Sequence, residues 1–158
     1  MKTAVFPGSF DPITLAHADI VKRALSLFDR IYIAVGMNST KKNLLPPETR
    51  RQLIEAVFPA DSGQVMVVQY EGLTVDFCRK VHATHLLRGL RSVSDFEFEN
   101  AIAQNNLSLA PDIETVFLVS TPGLAHISST IVRDVLHHQG DISSMVPPAV
   151  ADLLKSQR

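Results

Sequence analysis

Short apolar runs alternate with stretches of helical periodicity five times along this chain, and that alternation constrains the fold more than any other feature. The runs are Thr3–Phe6, Ile31–Val35, Val65–Gln69, His85–Leu87 and Glu114–Val119. Strands that are nearly all apolar suit a sheet covered on both faces. Between them, Leu15–Phe28 places Ile20, Val21, Ala24, Leu25 and Phe28 at helical spacing. Pro46 and Pro47 suit the start of a helix running to Phe58, with Glu48 near its positive end. Val75–His82 and Asp95–Leu109 read as further helices. Another is capped by Ser128 or Ser129 and closed by Gly140, and a last one opens at Pro147 and Pro148. The pattern predicts a single α/β domain over residues 1–158, a five-stranded parallel sheet with helices on both faces. Ligands of such sheets bind beyond the carboxyl ends of the strands, where the strand order reverses. The loops at that edge begin near Pro7, Gly36, Gln69, Arg88 and Ser120.

Composition narrows the function. A formal net charge of -1 gives no basic excess for a long phosphate backbone, which argues against a general nucleic-acid binder. No stretch approaches the roughly 18 apolar residues of a membrane span, and the N-terminal apolar run is too short for a signal peptide. A cytoplasmic protein is expected. The single cysteine, Cys78, reads as a small core residue. No cysteine–histidine spacing points to zinc.

Four segments carry chemistry. In the first loop, Gly8 admits a close ligand, Ser9 offers a hydroxyl and an amide, and His17 falls in the first turn of the next helix, where a phosphate is favoured. Lys41 and Lys42 stand together in the loop after the second strand. Arg88-Gly89-Leu90-Arg91 leaves the fourth strand, and arginine forks match phosphate oxygens. The same arginines can instead pair with Asp95, Glu97 and Glu99. Finally, His126-Ile127-Ser128-Ser129-Thr130 sets hydroxyls and amides at a helix start, which caps the helix and also presents donors to an anion.

The first segment, Gly8-Ser9-Phe10-Asp11-Pro12-Ile13-Thr14, with Thr14-Leu15-Ala16-His17 inside the run, resembles the nucleotidyltransferase superfamily with its (T/H)-x-G-H motif. It is similar in particular to the phosphopantetheine adenylyltransferase branch. Arg88 to Glu99 resembles that family's R-G-L-R-x-x-x-D-F-E-x-E segment, and Ile127 to Arg133 resembles its I-S-S-(S/T)-x-(V/I)-R segment. The resemblance extends over nearly the whole chain. It departs at Ala16, where the family has glycine, and at Gly123-Leu124-Ala125, where an aromatic residue is common.

The resemblance implies a Rossmann-like fold and transfer of AMP from ATP to 4′-phosphopantetheine, giving dephospho-coenzyme A and pyrophosphate. It implies His17 as the catalytic residue. Ser9, Lys41, Thr74 and Arg88 would bind the acceptor, with an exchange of roles between Lys41 and Lys42 left open. Ser9, Phe10, His17, Gly89, Leu90, Arg91, Glu99, Leu124, Ala125, His126, Ile127, Ser128, Ser129 and Thr130 would bind ATP. Mg²⁺ would be the cofactor, held mainly by phosphates and water. A homohexamer and feedback by coenzyme A are further implications. Two competing readings are another nucleotidyltransferase of the superfamily and a nucleotide-binding module without catalysis.

Overall fold

The computed structural model describes residues 1–37, 42–59 and 63–156. Its elements run β1 (Thr3–Gly8), α1 (Leu15–Ala24), β2 (Arg30–Gly36), α2 (Pro47–Val57), β3 (Val65–Tyr70), α3 (Thr74–Lys80), β4 (His85–Leu90), α4 (Val93–Leu109), β5 (Glu114–Val119), α5 (Ser129–His137) and α6 (Pro148–Ser156). The five strands form one parallel sheet in the order β3-β2-β1-β4-β5. Alternate side chains feed two cores. Phe6, Ile31, Ile33 and Leu87 pack with α1, α2, α5 and α6. Val5, Ala34 and Leu86 pack with Val75 and Cys78 of α3 and with Ala110 and Ile113. Helices therefore cover both faces, as the alternation predicts.

The order reverses between β1 and β4, and there the sheet parts. Six residues of β1 pair with β2, from Thr3 with Arg30 to Gly8 with Val35. Only two pair with β4, Ala4 with His85 and Val5 with Leu86. Pro7 explains where pairing stops. It has no N–H to donate, so a strand beside it gains nothing by continuing. Its carbonyl accepts instead from Nη1 of Arg88 at 2.7 Å. A side chain of β4 thus replaces the missing ladder, and a crevice opens between the carboxyl ends of the two strands.

Several boundaries differ from the sequence expectation, some with consequences for packing. The first helix ends at Ala24 rather than Phe28; the chain turns, yet Phe28 still reaches the core at 5% exposure. The fourth strand runs to Leu90, so Arg88, Gly89 and Leu90 are strand residues, paired with Phe117, Leu118 and Val119 of β5. The left-handed residue after α5 is Gln139 (φ 59), not Gly140. Gly140 serves close packing instead, since a Cβ there would lie 2.6 Å from a Val135 methyl.

Candidate functional site

The crevice at the strand-order reversal widens into two lobes. They share a wall of Pro7, Gly8, Ser9, Arg88 and Glu99. One lobe, about 350 Å³, lies under the starts of α1 and α5 and includes Ala16, His17, Gly89, Arg91, Ser128, Ser129, Thr130 and Arg133. The other, about 260 Å³, runs toward α4 and includes Gly36, Asn43, Tyr70, Thr74, Leu86, Ile102 and Asn106. A shared wall lets two ligands meet at one place.

His17 is placed by the helix it begins. Thr14 is the N-cap of α1, its hydroxyl accepting from the His17 amide, while the Thr14 amide donates to Nδ1 of His17 at 3.1 Å. This reciprocal pair is a capping box with an imidazole in the usual Glu or Gln role. Because Nδ1 accepts, the neutral ring carries its proton on Nε2. Phe6 and Phe10 pack on the ring, Phe10 edge-on at 5.1 Å between centroids. Burial, then the charges of Arg91 and Arg88, lower the His17 pKa to about 4. The ring is therefore a neutral N–H donor at pH 7.

Both helix starts offer amides that are unused among the described residues. In α1 the Leu15 amide donates to Met145 and the His17 amide to Thr14, leaving Ala16. In α5 the Ser128 hydroxyl accepts from Ile131, leaving Ser129 and Thr130 without intrahelical acceptors. The hydroxyls here are largely committed to structure. Ser129 Oγ donates to the Pro12 carbonyl at 2.8 Å, and Thr130 Oγ1 accepts from Arg133 at 3.1 Å. Anion binding by α5 thus rests mainly on amides and on the helix dipole.

The arginines are held by carboxylates that also face the cleft. Arg88 Nε donates to Glu99 at 2.7 Å and Nη2 completes a fork on the same carboxylate. Arg91 pairs with Asp95, which holds the Asp95 carboxyl below its usual range. The ion-pair reading of this segment is met at Arg88 and Arg91, and pairing with acids fixes both cations along the cleft. Glu97 is exposed and makes no ion pair among the described residues. Arg133 has no carboxylate partner among the described residues. Its Nη1 donates to the Asp11 carbonyl at 2.9 Å, and it lines the larger lobe. Sequence reasoning gave Arg133 no role, although it lies one helical turn after Ser129.

Of the residues singled out from sequence, Ser9, His17, Thr74, Arg88, Gly89, Arg91, Glu99, Ile127, Ser128, Ser129 and Thr130 line the cleft. Thr74 Oγ1 lies 2.9 Å from the Tyr70 hydroxyl in the smaller lobe. Phe10 lines the larger lobe, but its side chain is core, 2% exposed, with φ 46. A Cβ on Gly8 would meet its ring at 2.9 Å, so Gly8 is required for that packing. Leu90, Leu124, Ala125 and His126 do not line either lobe. Leu90 ends β4, and the other three form a turn leading to α5. Lys41 lies outside the described residues, and Lys42 is exposed and lines neither lobe. Asn43 and Tyr70, which sequence reasoning missed, do line the smaller one. Neither stands in a motif.

Known proteins share this chain's sequence and fold. Residues 5–135 match the cytidylyltransferase-like family model. A phosphopantetheine adenylyltransferase of Flavobacterium johnsoniae is 53% identical over 150 residues, covering 95% of this chain and 97% of the relative. One from Flavobacterium psychrophilum is 51% identical over 150 residues, with 95% and 98% covered. One from Geotalea daltonii is 46% identical over 157 residues, with 99% and 97% covered. A Vibrio parahaemolyticus structure, provisionally assigned as a nicotinate-nucleotide adenylyltransferase, superposes with a TM-score of 0.72 at 23% identity, covering 99% of this chain and 93% of that one. That likeness speaks for the fold alone.

Proposed function

The chain belongs to the phosphopantetheine adenylyltransferases, within the cytidylyltransferase-like family, and from that membership we propose how its cleft works. The reaction is transfer of AMP from ATP to 4′-phosphopantetheine, yielding dephospho-coenzyme A and pyrophosphate, a step of coenzyme A biosynthesis. The observation that carries the reading is the shared wall: two lobes, one rich in anion donors and one partly apolar, meet at Ser9 and Arg88.

ATP occupies the larger lobe, its β and γ phosphates facing the amides of Ser129 and Thr130 with Arg91 and Arg133. The acceptor's pantetheine arm lies in the smaller lobe beside Thr74, and its phosphate meets Arg88, Ser9 and Lys41. An oxygen of that phosphate attacks the α-phosphorus, the bond from α-phosphorus to the β-bridging oxygen breaks, and pyrophosphate leaves. The attacking monoester has a second pKa of about 6, so no general base is needed. His17 donates its Nε2–H to the α-phosphate as charge develops there. A neutral donor suits this role, since it adds no net charge that would hold the product.

Mg²⁺ is proposed to arrive as the ATP complex. Asp95 and Glu99, the carboxylates of the larger lobe, are already held by Arg91 and Arg88. Among the described residues no group of three or more His, Cys, Asp or Glu can hold a metal. We propose phosphates and water as the ion's main ligands.

The same membership supports a reading of assembly and location. Helix α4 buries no residue, and Val93, Phe96, Phe98 and Leu109 are exposed along it, beside the edge strand β5 with Val119 exposed. Apolar surface of this kind is covered in an oligomer, and we propose the homohexamer. Native mass spectrometry should give six chains. Among the described residues no helix is long and apolar enough to cross a membrane; the proposed location is the cytoplasm. Coenzyme A carries the acceptor's arm and is proposed to compete for the smaller lobe.

The test is pyrophosphate release from Mg-ATP with a panel of acceptors. Release with 4′-phosphopantetheine, and not with nicotinate or nicotinamide mononucleotide or phosphocholine, supports the reading. Release with a mononucleotide alone would reassign the acceptor.

A further inference from the structure

Arg50 is wholly buried, yet no carboxylate lies within ion-pair distance of it among the described residues. Its Nη1 donates to the Ser9 carbonyl at 2.6 Å and its Nε to the Leu45 carbonyl at 3.2 Å. Nη2 is buried and has no acceptor among the described residues. Asp11, 2% exposed, holds the same stretch of backbone. Its two oxygens accept the amides of Leu44 at 2.7 Å and Leu45 at 2.9 Å. Burial lowers the Arg50 pKa, and the Asp11 charge opposes that push.

A buried charge and an orphaned donor are a poor way to stabilise a core. The arrangement makes sense as a clamp. Between Ser9 and Asp11 sits Phe10, held at φ 46, a conformation that a bulky residue keeps only when its surroundings over-determine it. The clamp grips the backbone on both sides of Phe10. It also fixes residues 44 and 45, directly after Asn43, which lines the smaller lobe and not the larger. The nucleotide side of the same loop has separate anchors: Arg133 on the Asp11 carbonyl and Ser129 on the Pro12 carbonyl.

We propose that Asp11 and Arg50 are positioning residues for the acceptor, holding the segment after Asn43 against Ser9 so that the smaller lobe keeps its shape when the chain is empty. This rests on the assignment of that lobe to the acceptor. Ser9 lines both lobes, but Leu44 and Leu45 follow Asn43, which lines the smaller lobe alone, so loosening the Asp11 end of the clamp harms acceptor binding and leaves ATP binding intact.

The experiment compares wild type with Asp11→Asn, Arg50→Met and Arg50→Lys in the full chain, measuring KM for each substrate, ATP affinity by calorimetry and thermal midpoint. Asp11→Asn keeps the volume and one acceptor oxygen, so it is the variant least able to unfold the protein. The expected result is a rise of about tenfold in KM for 4′-phosphopantetheine with KM for ATP changed less than about twofold, from loss of a charge-assisted hydrogen bond. Arg50→Lys, which keeps the charge and can reach one carbonyl, should recover part of the loss that Arg50→Met shows. Equal rises in both KM values, or a lower thermal midpoint with neither KM moved, would overturn the proposal. Wild type without acceptor-dependent release would instead sink the assigned reaction, and that control is read first.

Discussion

The two lobes of the cleft are built by different means. The larger is made from the ends of regular elements: the first turn of α1, the first turn of α5 and the last residues of β4. Its donors are amides and arginines whose positions follow from capping and strand pairing. The smaller draws on Asn43, the end of β3, the start of α3 and the face of α4 that carries Glu99, Ile102 and Asn106, with no short stretch contributing most of it. A binding site for a triphosphate can be condensed into helix starts, because every helix start offers the same amides. A site for a flexible arm needs scattered side chains and something to hold them in place. The contrast predicts that changes in the larger lobe act on turnover, and changes in the smaller lobe on acceptor affinity.

The largest effect should come from His17→Ala, where kcat falls on the order of 10²- to 10³-fold, the usual result of losing one preorganised donor. ATP affinity by calorimetry should change little; a large loss of ATP binding with unchanged turnover at saturation would reverse the contrast.

Acid should reveal the same histidine through stability. Its folded pKa, about 4, lies below the unfolded value of 6.5. Between these values the unfolded chain binds more protons, so stability rises with pH; it is fully present above about 6.5 and is lost as pH falls toward 4. The half-buried ring accounts for about 2–3 kcal/mol of that loss. Denaturant midpoints should therefore fall less steeply between pH 6.5 and 4 in His17→Gln, which keeps a capping-box partner, than in wild type. Equal slopes would remove the burial of His17 from the account.

Glu99→Gln frees Arg88 on the wall common to both lobes, so it should raise both KM values and lower stability by about 1–3 kcal/mol, as expected for one partner lost from a mostly buried pair. Thr74→Val is the smallest change. It breaks one contact with Tyr70 in the acceptor lobe, and KM for 4′-phosphopantetheine alone should rise about fivefold, the equivalent of roughly 1 kcal/mol.

The same contrast explains what the sequence allowed one to read. Strand runs such as Ile31–Val35 and the Ser-rich start of α5 carry local rules, so the parallel sheet and the nucleotide lobe were legible. Arg88 and Gly89 look like loop formers, and only full pairing with β5 makes them strand residues. Leu25 and Phe28 keep helical spacing after α1 has ended, because a turn can bury them as well as a helix can. Phe10 lines the larger lobe as its motif suggests, while its ring fills the space over Gly8, which no local rule foretells. Arg50 sits among Glu48, Arg51 and Gln52, where one more arginine reads as a solvated face; its burial depends on a carbonyl from Ser9, 41 residues away. Asn43 and Tyr70 acquire meaning only when the fold brings them to one lobe with α3 and α4.

The central claim is that both substrates sit in the cleft together and react directly across the wall of Ser9 and Arg88. The most direct measurement is the stereochemical course at the α-phosphorus, using ATP made chiral there with oxygen isotopes or sulfur. A single in-line displacement by the acceptor phosphate inverts the configuration, and inversion is the predicted result. Net retention would mean two displacements through an adenylylated enzyme, and would contradict a site in which the two lobes share one wall for direct transfer.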